Sequence, residues 1–131
     1  MDEHRCVVVA CSHMEDRKSL IHILESLSLD VISCSDMDQV HKVLSRRNVP
    51  LVFCDEQLSE GCFRDLVSAD IPGQKASRVV VTIRTGDCDE YLRVMRLGAY
   101  DGLRCPLCPT DVELVVLRAM REDQISYRKT A

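Results

Sequence analysis

Residues 49–61 read VPLVFCDEQLSEG: an apolar run through Cys54, then the acids Asp55 and Glu56, then a polar stretch closed by Gly61. A strand wet on one face alternates apolar and polar residues, whereas an unbroken apolar run marks a strand covered on both faces, as in a parallel sheet. Asp55 stands on the last step of that run. A carboxylate there is either a helix or turn signal or a chemical group, because ligands of open α/β sheets collect outside the carboxyl ends of the strands.

Working outward, similar runs recur at 5–11 (RCVVVAC), 30–33 (DVIS), 78–83 (RVVVTI) and 101–104 (DGLR), with 50–54 (PLVFC) among them. Helical spacing fills the intervals. Leu20, Ile23, Leu24 and Leu27 mark a first helix, and Met37, Val40, Val43 and Leu44 a second, opening on SDMD if Asp38 stands in for the Glu of a capping box. Phe63, Leu66 and Val67 suggest a short third, and Asp87 to Leu97 a fourth that stops at Gly98. The fifth opens on the capping box TDVE, Thr110–Glu113, with Val112, Val115, Val116 and Ala119 on one face. Strand-then-helix repeats with right-handed crossovers predict an open, doubly wound α/β domain. A chain of 131 residues has room for one core, expected over residues 1–122, with 123–131 a frayed tail.

The composition, 46% apolar and 29% charged, is that of a globular domain, and no apolar run approaches the roughly 20 residues of a membrane span. The N-terminal MDEHRC lacks the layout of a signal peptide, so the cytoplasm is the expected location. A net charge of -4 argues against nucleic acid as partner, with SRRN at 45–48 the one basic cluster. The eight cysteines do not form a disulfide framework; several sit inside apolar runs, as Cys11 and Cys54 do, where a thiol acts as a small hydrophobe.

LVFCD with its loop closing on Gly61, VVVT ending at Thr82, and LGAYDGLRCP from Leu97 to Pro106 resemble, in order and spacing, the receiver domain of bacterial response regulators. The likeness spans residues 5 to about 122. It implies a flavodoxin-like (βα)5 fold, a five-stranded parallel sheet of order 2-1-3-4-5. It also implies that Asp55 stands at the phosphoacceptor position and Thr82 at the switch hydroxyl position. The family's chemistry needs a divalent cation and positioned donors around the phosphoryl oxygens.

This sequence departs from that pattern in the supporting parts. Ser12 and His13 stand where the family has its magnesium-holding acids; Glu15 and Asp16, three residues on, fit a first helical turn better. Cys105 replaces the lysine before proline, Gly102 the aromatic that turns with the hydroxyl, and Ser59 a proline. Glu56 alone does not restore a hard-cation site. No cofactor is expected, and magnesium binding should be weak or lost.

The resulting expectation is an atypical, stand-alone, non-enzymatic receiver with impaired phosphorylation. It would work through contacts with signalling proteins, such as a histidine kinase or an output protein, or with a second copy. The family's contact face is the fourth helix, fifth strand and fifth helix, here Tyr91, Arg93, Arg96, Tyr100, Arg104 and Arg118. One alternative is a working phosphoacceptor at Asp55. Another is a thiol redox or metal-responsive module using CPLC, Cys105 to Cys108. His13, Asp55 and Cys105 would converge as residue types that bind zinc or serve nucleophilic catalysis, but no metal site is expected.

Overall fold

The computed structural model describes residues 5–67, 77–84 and 88–130, with 122–130 as helix backbone alone. The chain runs β1 (Cys6–Ala10), α1 (Met14–Ser26), β2 (Asp30–Ser33), α2 (Met37–Arg46), β3 (Leu51–Asp55), β4 (Gln57–Leu58), β5 (Gly61–Cys62), α3 (Arg64–Val67), β6 (Arg78–Ile83), α4 (Cys88–Arg96), β7 (Asp101–Arg104) and α5 (Pro109–Thr130). Five strands form one sheet of order β2-β1-β3-β6-β7, and every pairing in it is parallel. With the β4-β5 hairpin set aside, this is the expected 2-1-3-4-5 order.

The apolar runs lie where two covered faces require them. β1 and β3, inside the sheet, are buried along their whole length, while the edge strands β2 and β7 keep exposed or half-exposed residues. Val8, Val52 and Val81 face Met37, Val40, Phe63 and Val94 on one side. Val7, Val9, Leu51, Phe53 and Val80 face Leu20, Leu24, Val112 and Val116 on the other. Side chains alternate along each strand, so Phe53 and Asp55 share a face, and the apolar packing of β3 fixes which way its terminal carboxylate points.

Local signals moved some boundaries. α2 is capped one residue later than SDMD suggested: Asp36 accepts from Gln39 N at 2.8 Å, and Gln39 Oε1 accepts from Ser35 N at 2.9 Å. α5 begins at Pro109, so Thr110 lies inside the first turn and TDVE is not the cap; proline is suited there because that N–H has no helical partner. The helix continues to Thr130, through the segment read as a tail. The loop after Asp55 contains the β4-β5 hairpin, which its two-residue strands did not announce. The Asp87 start of the fourth helix lies outside the described residues. Among those described, no helix is long and apolar enough to cross a membrane.

Gly98 ends α4 at φ 103°, a conformation that side chains disfavour, and a Cβ there would lie 2.5 Å from Val67 Cγ1. Gly98→Ala is therefore expected to lower stability by about 1–3 kcal/mol, measured by denaturant unfolding; an unchanged midpoint would remove the constraint.

Candidate functional site

The register sets the site. Asp55 pairs with Thr82 across β3 and β6, and Ala10 pairs with Cys54, which brings the residues after β1 alongside Asp55. Asp55 is buried, 7% exposed, and Thr82 is 3% exposed. Asp55 Oδ1 accepts from Thr82 Oγ1 at 2.6 Å. Its Oδ2 accepts from Ser12 N at 2.8 Å and from Ser12 Oγ at 2.7 Å. Burial alone would raise this carboxyl; the donors, Thr82 first and then Ser12, outweigh it and hold Asp55 below its ordinary value. Asp55 is thus an ionised acceptor that ties together the ends of β1, β3 and β6.

A cavity of about 350 Å³ opens beside it, lined by Ser12, His13, Asp55, Glu56, Gln57, Thr82 and Arg84. His13 occupies the N-cap position of α1 but its side chain caps nothing; Glu15 and Asp16 in the first turn complement the dipole, as the sequence suggested. Glu56 forms an ion pair with Arg93 of α4. Arg84 forms one with Asp16.

Cys105 follows β7, its N–H donating to Ile83 O at 2.9 Å, and it is half-buried. Its thiol is pushed up to about 11, by burial first and then by the charge and hydrogen bond of Asp16, against the pull of Arg84. The expected lysine position therefore carries a neutral donor beside an Asp16–Arg84 pair. Cys105, Gly102 and Cys108 do not line the cavity. Cys108 is exposed, its carbonyl accepting from Val112 N at 3.2 Å. Among the described residues no three of His, Cys, Asp and Glu are gathered as metal ligands, so His13, Asp55 and Cys105 are not a preformed zinc cluster.

Two site residues escaped the sequence reading. Cys11 was taken as a core hydrophobe and is one, fully buried; what the reading did not show is its nearness to Asp55, whose charge adds to burial in pushing the thiol well up. Arg84 carries the cation at the cavity rim. The signal for Arg84 was present: it lies two residues beyond Thr82, and strand alternation carried one step further puts both on the same side.

At β7 Ile83 and Tyr91 close over Gly102. A Cβ on Gly102 would lie 3.0 Å from Tyr91 Cδ2 and 2.7 Å from Ile83 Cδ1. The Tyr91 hydroxyl donates to Asp101 Oδ1 at 2.8 Å, and Arg118 of α5 pairs with the other oxygen of Asp101. Arg118 and Arg78 lie over the Tyr100 ring at 5.1 and 5.6 Å. Tyr91, Arg104 and Arg118 line a groove of about 370 Å³ between α4 and α5, and Leu114 on its rim is 61% exposed. Arg93 and Arg96, read as part of that face, line neither wall of the groove: Arg93 reaches Glu56, and Arg96 lines a separate cavity beside α3.

No family model matches the sequence, and no curated protein matches it. Solved structures do. NtrX from Brucella abortus in complex with ATP superposes with a TM-score of 0.82 at 22% identity, over 95% of this chain and 29% of that one. The beryllofluoride-activated NtrC4 receiver domain dimer gives 0.77 at 22% identity, over 90% and 98%. The chain has the receiver-domain fold. The chemotaxis response regulator CheY4 of Vibrio cholerae agrees, with 0.74 at 13% identity, over 87% and 97%. In receiver terms Asp55 ends the third sheet strand and Thr82 lies in the fourth, as the sequence motifs implied.

Proposed function

We propose that this chain is an atypical receiver in signal transduction, acting through protein contacts, with Asp55 as a fixed hydrogen-bond acceptor in place of a phosphoacceptor. The observation that supports this reading is that both Asp55 oxygens are already engaged, Oδ1 by Thr82 and Oδ2 by Ser12. Donors on both oxygens weaken a carboxylate as a nucleophile, and phosphoryl transfer also needs a cation to neutralise the transferred charge. The donor set fits a hard divalent cation poorly, since the second acid of the cavity, Glu56, is committed to Arg93.

The contact surface proposed is the α4–β7–α5 face, with its groove, the exposed Leu114 and a hydrogen-bonded floor of Tyr91, Asp101 and Arg118. A signalling protein or a second copy would dock there. One neighbouring structure is a receiver domain dimer, which supports the second-copy case. The phosphoacceptor reading keeps one point in its favour, the Arg84 guanidinium at the cavity rim, which would have to leave Asp16 to serve. The thiol reading has less support, because a thiol raised to about 11 is not a thiolate at neutral pH.

Intact mass after incubation with acetyl phosphate and magnesium, beside Asp55→Asn, tests the proposal. No phosphoryl-sized increase is expected from protein shown to be folded by circular dichroism. An increase that disappears in Asp55→Asn would establish the phosphoacceptor instead.

A further inference from the structure

We propose that the cavity beside Asp55 is a site for a primary ammonium group, carried by a small organic amine or by a lysine side chain. Asp55 is 7% exposed and lies in the cavity wall. Its donors, Thr82 Oγ1, Ser12 Oγ and Ser12 N, are all neutral. Such donors hold a carboxylate charge in place without cancelling it, and a buried charge ordinarily has a partner of opposite sign. The guanidinium of the same wall, Arg84, is held by Asp16. His13, the remaining basic side chain of the wall, is exposed. Even with Glu56 balanced by Arg93, Asp55 is left as the unbalanced charge of the cavity.

The cation that fits is organic. A carboxylate offers about four acceptor positions, and Ser12 fills two on Oδ2 while Thr82 fills one on Oδ1. The position left on Oδ1 suits a single N–H. A hard divalent ion needs roughly six oxygens around it, and among the described residues no three of His, Cys, Asp and Glu are gathered to begin such a shell. An ammonium asks less, because neutral acceptors serve its remaining donors. Gln57 lines the cavity; its Nε2 donates to Gly61 O at 3.2 Å, which leaves Oε1 to accept. The Ser12 hydroxyl donates to Asp55 and keeps its own lone pairs. A cavity of about 350 Å³ also has room for several carbon atoms behind the nitrogen, a water molecule taking about 30 Å³. The site extends the reading of Asp55 as a fixed acceptor and belongs to the unphosphorylated chain. Amine binding and labelling by acetyl phosphate are read separately, so either reading can fail alone.

Heteronuclear NMR titration of the whole chain at constant ionic strength tests it. Butylammonium chloride is expected to shift the amides of Ser12, Gln57 and Thr82 saturably, with a Kd of about 1–10 mM. Butanol lacks the charge and tetramethylammonium lacks the N–H, so each should bind at least about tenfold more weakly. Magnesium chloride at equal concentration should leave the amine in place. Asp55→Asn keeps the shape of the site without its charge and should weaken butylammonium by about the same tenfold factor. The absence of a saturable shift would overturn the inference, as would equal affinity for butanol, displacement by magnesium, or an unchanged Kd in Asp55→Asn. If Asp55→Asn does not fold, the selectivity of the wild type decides by itself. Blocked lysine, with its α-amino group acetylated and its carboxyl amidated, separates the two sources. Tighter binding than butylammonium assigns the ammonium to a polypeptide, and equal or weaker binding assigns it to a free amine.

Discussion

Asp55→Ala is expected to destabilise the domain by about 2–4 kcal/mol, read from chemical denaturation at neutral pH. The substitution removes the acceptor of Thr82 Oγ1, Ser12 N and Ser12 Oγ together. Thr82 is buried, so its hydroxyl is left without a partner or with an intruding water. Asp55→Asn should cost less, about 1 kcal/mol, because its oxygen can still serve Ser12 while its amide donates to a Thr82 hydroxyl turned to accept. The sign is what discriminates. A carboxylate kept for chemistry in a poorly compensated site is commonly strained, and removing it stabilises the fold. A gain in stability for Asp55→Ala would therefore favour the phosphoacceptor.

The same clasp sets an acid dependence. The folded-state pKa of Asp55 lies below the ordinary 3.8, so its contribution is complete above that value and is lost as pH falls through the lower, folded value. Asp55→Asn should flatten the acid limb of the stability profile relative to wild type. Parallel limbs would mean that the carboxylate is not the group responsible.

How far the sequence carried depended on whether each feature is recorded locally. β6, and β3 apart from a one-residue shift, were legible because burial on both faces writes an unbroken apolar run. Asp55 and Thr82 were legible because each ends or nearly ends such a run. The β4-β5 hairpin was not, since its two-residue strands are held by backbone bonds that leave no pattern in side-chain type. Cys11 was read as a buried thiol and is one, fully enclosed in the core; only the register with β3 shows that it also lies near Asp55, whose charge adds to burial in pushing the thiol up. Gly102 was read as lacking the aromatic that the family carries there. In the structure Ile83 and Tyr91 of α4 close over it, a packing visible only after α4 is placed on β7.

The second large effect is alkaline. Between about pH 9 and 12 the domain is expected to lose stability steeply, because the folded state holds thiol protons that the unfolded chain releases. Cys54 is fully buried and pushed up to about 12, by burial first and then by the adjacent Asp55 charge. Cys11 is raised further by the same two causes, and Cys105 to about 11. A raised folded-state pKa gives stability that is complete below the unfolded thiol value of 9.0 and vanishes as pH climbs through the folded one. Tyrosines and lysines also titrate there, so the decisive comparison is thermal unfolding of wild type and Cys54→Ala across that range under reducing conditions. Cys54→Ala should be somewhat less stable at neutral pH, from the small cavity, yet decline less with pH, so that the two curves converge. Parallel curves would remove Cys54 from the account. The same chemistry bears on the redox alternative: at neutral pH Cys11, Cys54 and Cys105 are held as thiols, and the exposed Cys88 and Cys108 should be the first to take up an alkylating label. Labelling of Cys105 ahead of Cys88 would show that the thiol beside Asp16 and Arg84 is activated after all, and would return CPLC to the functional site.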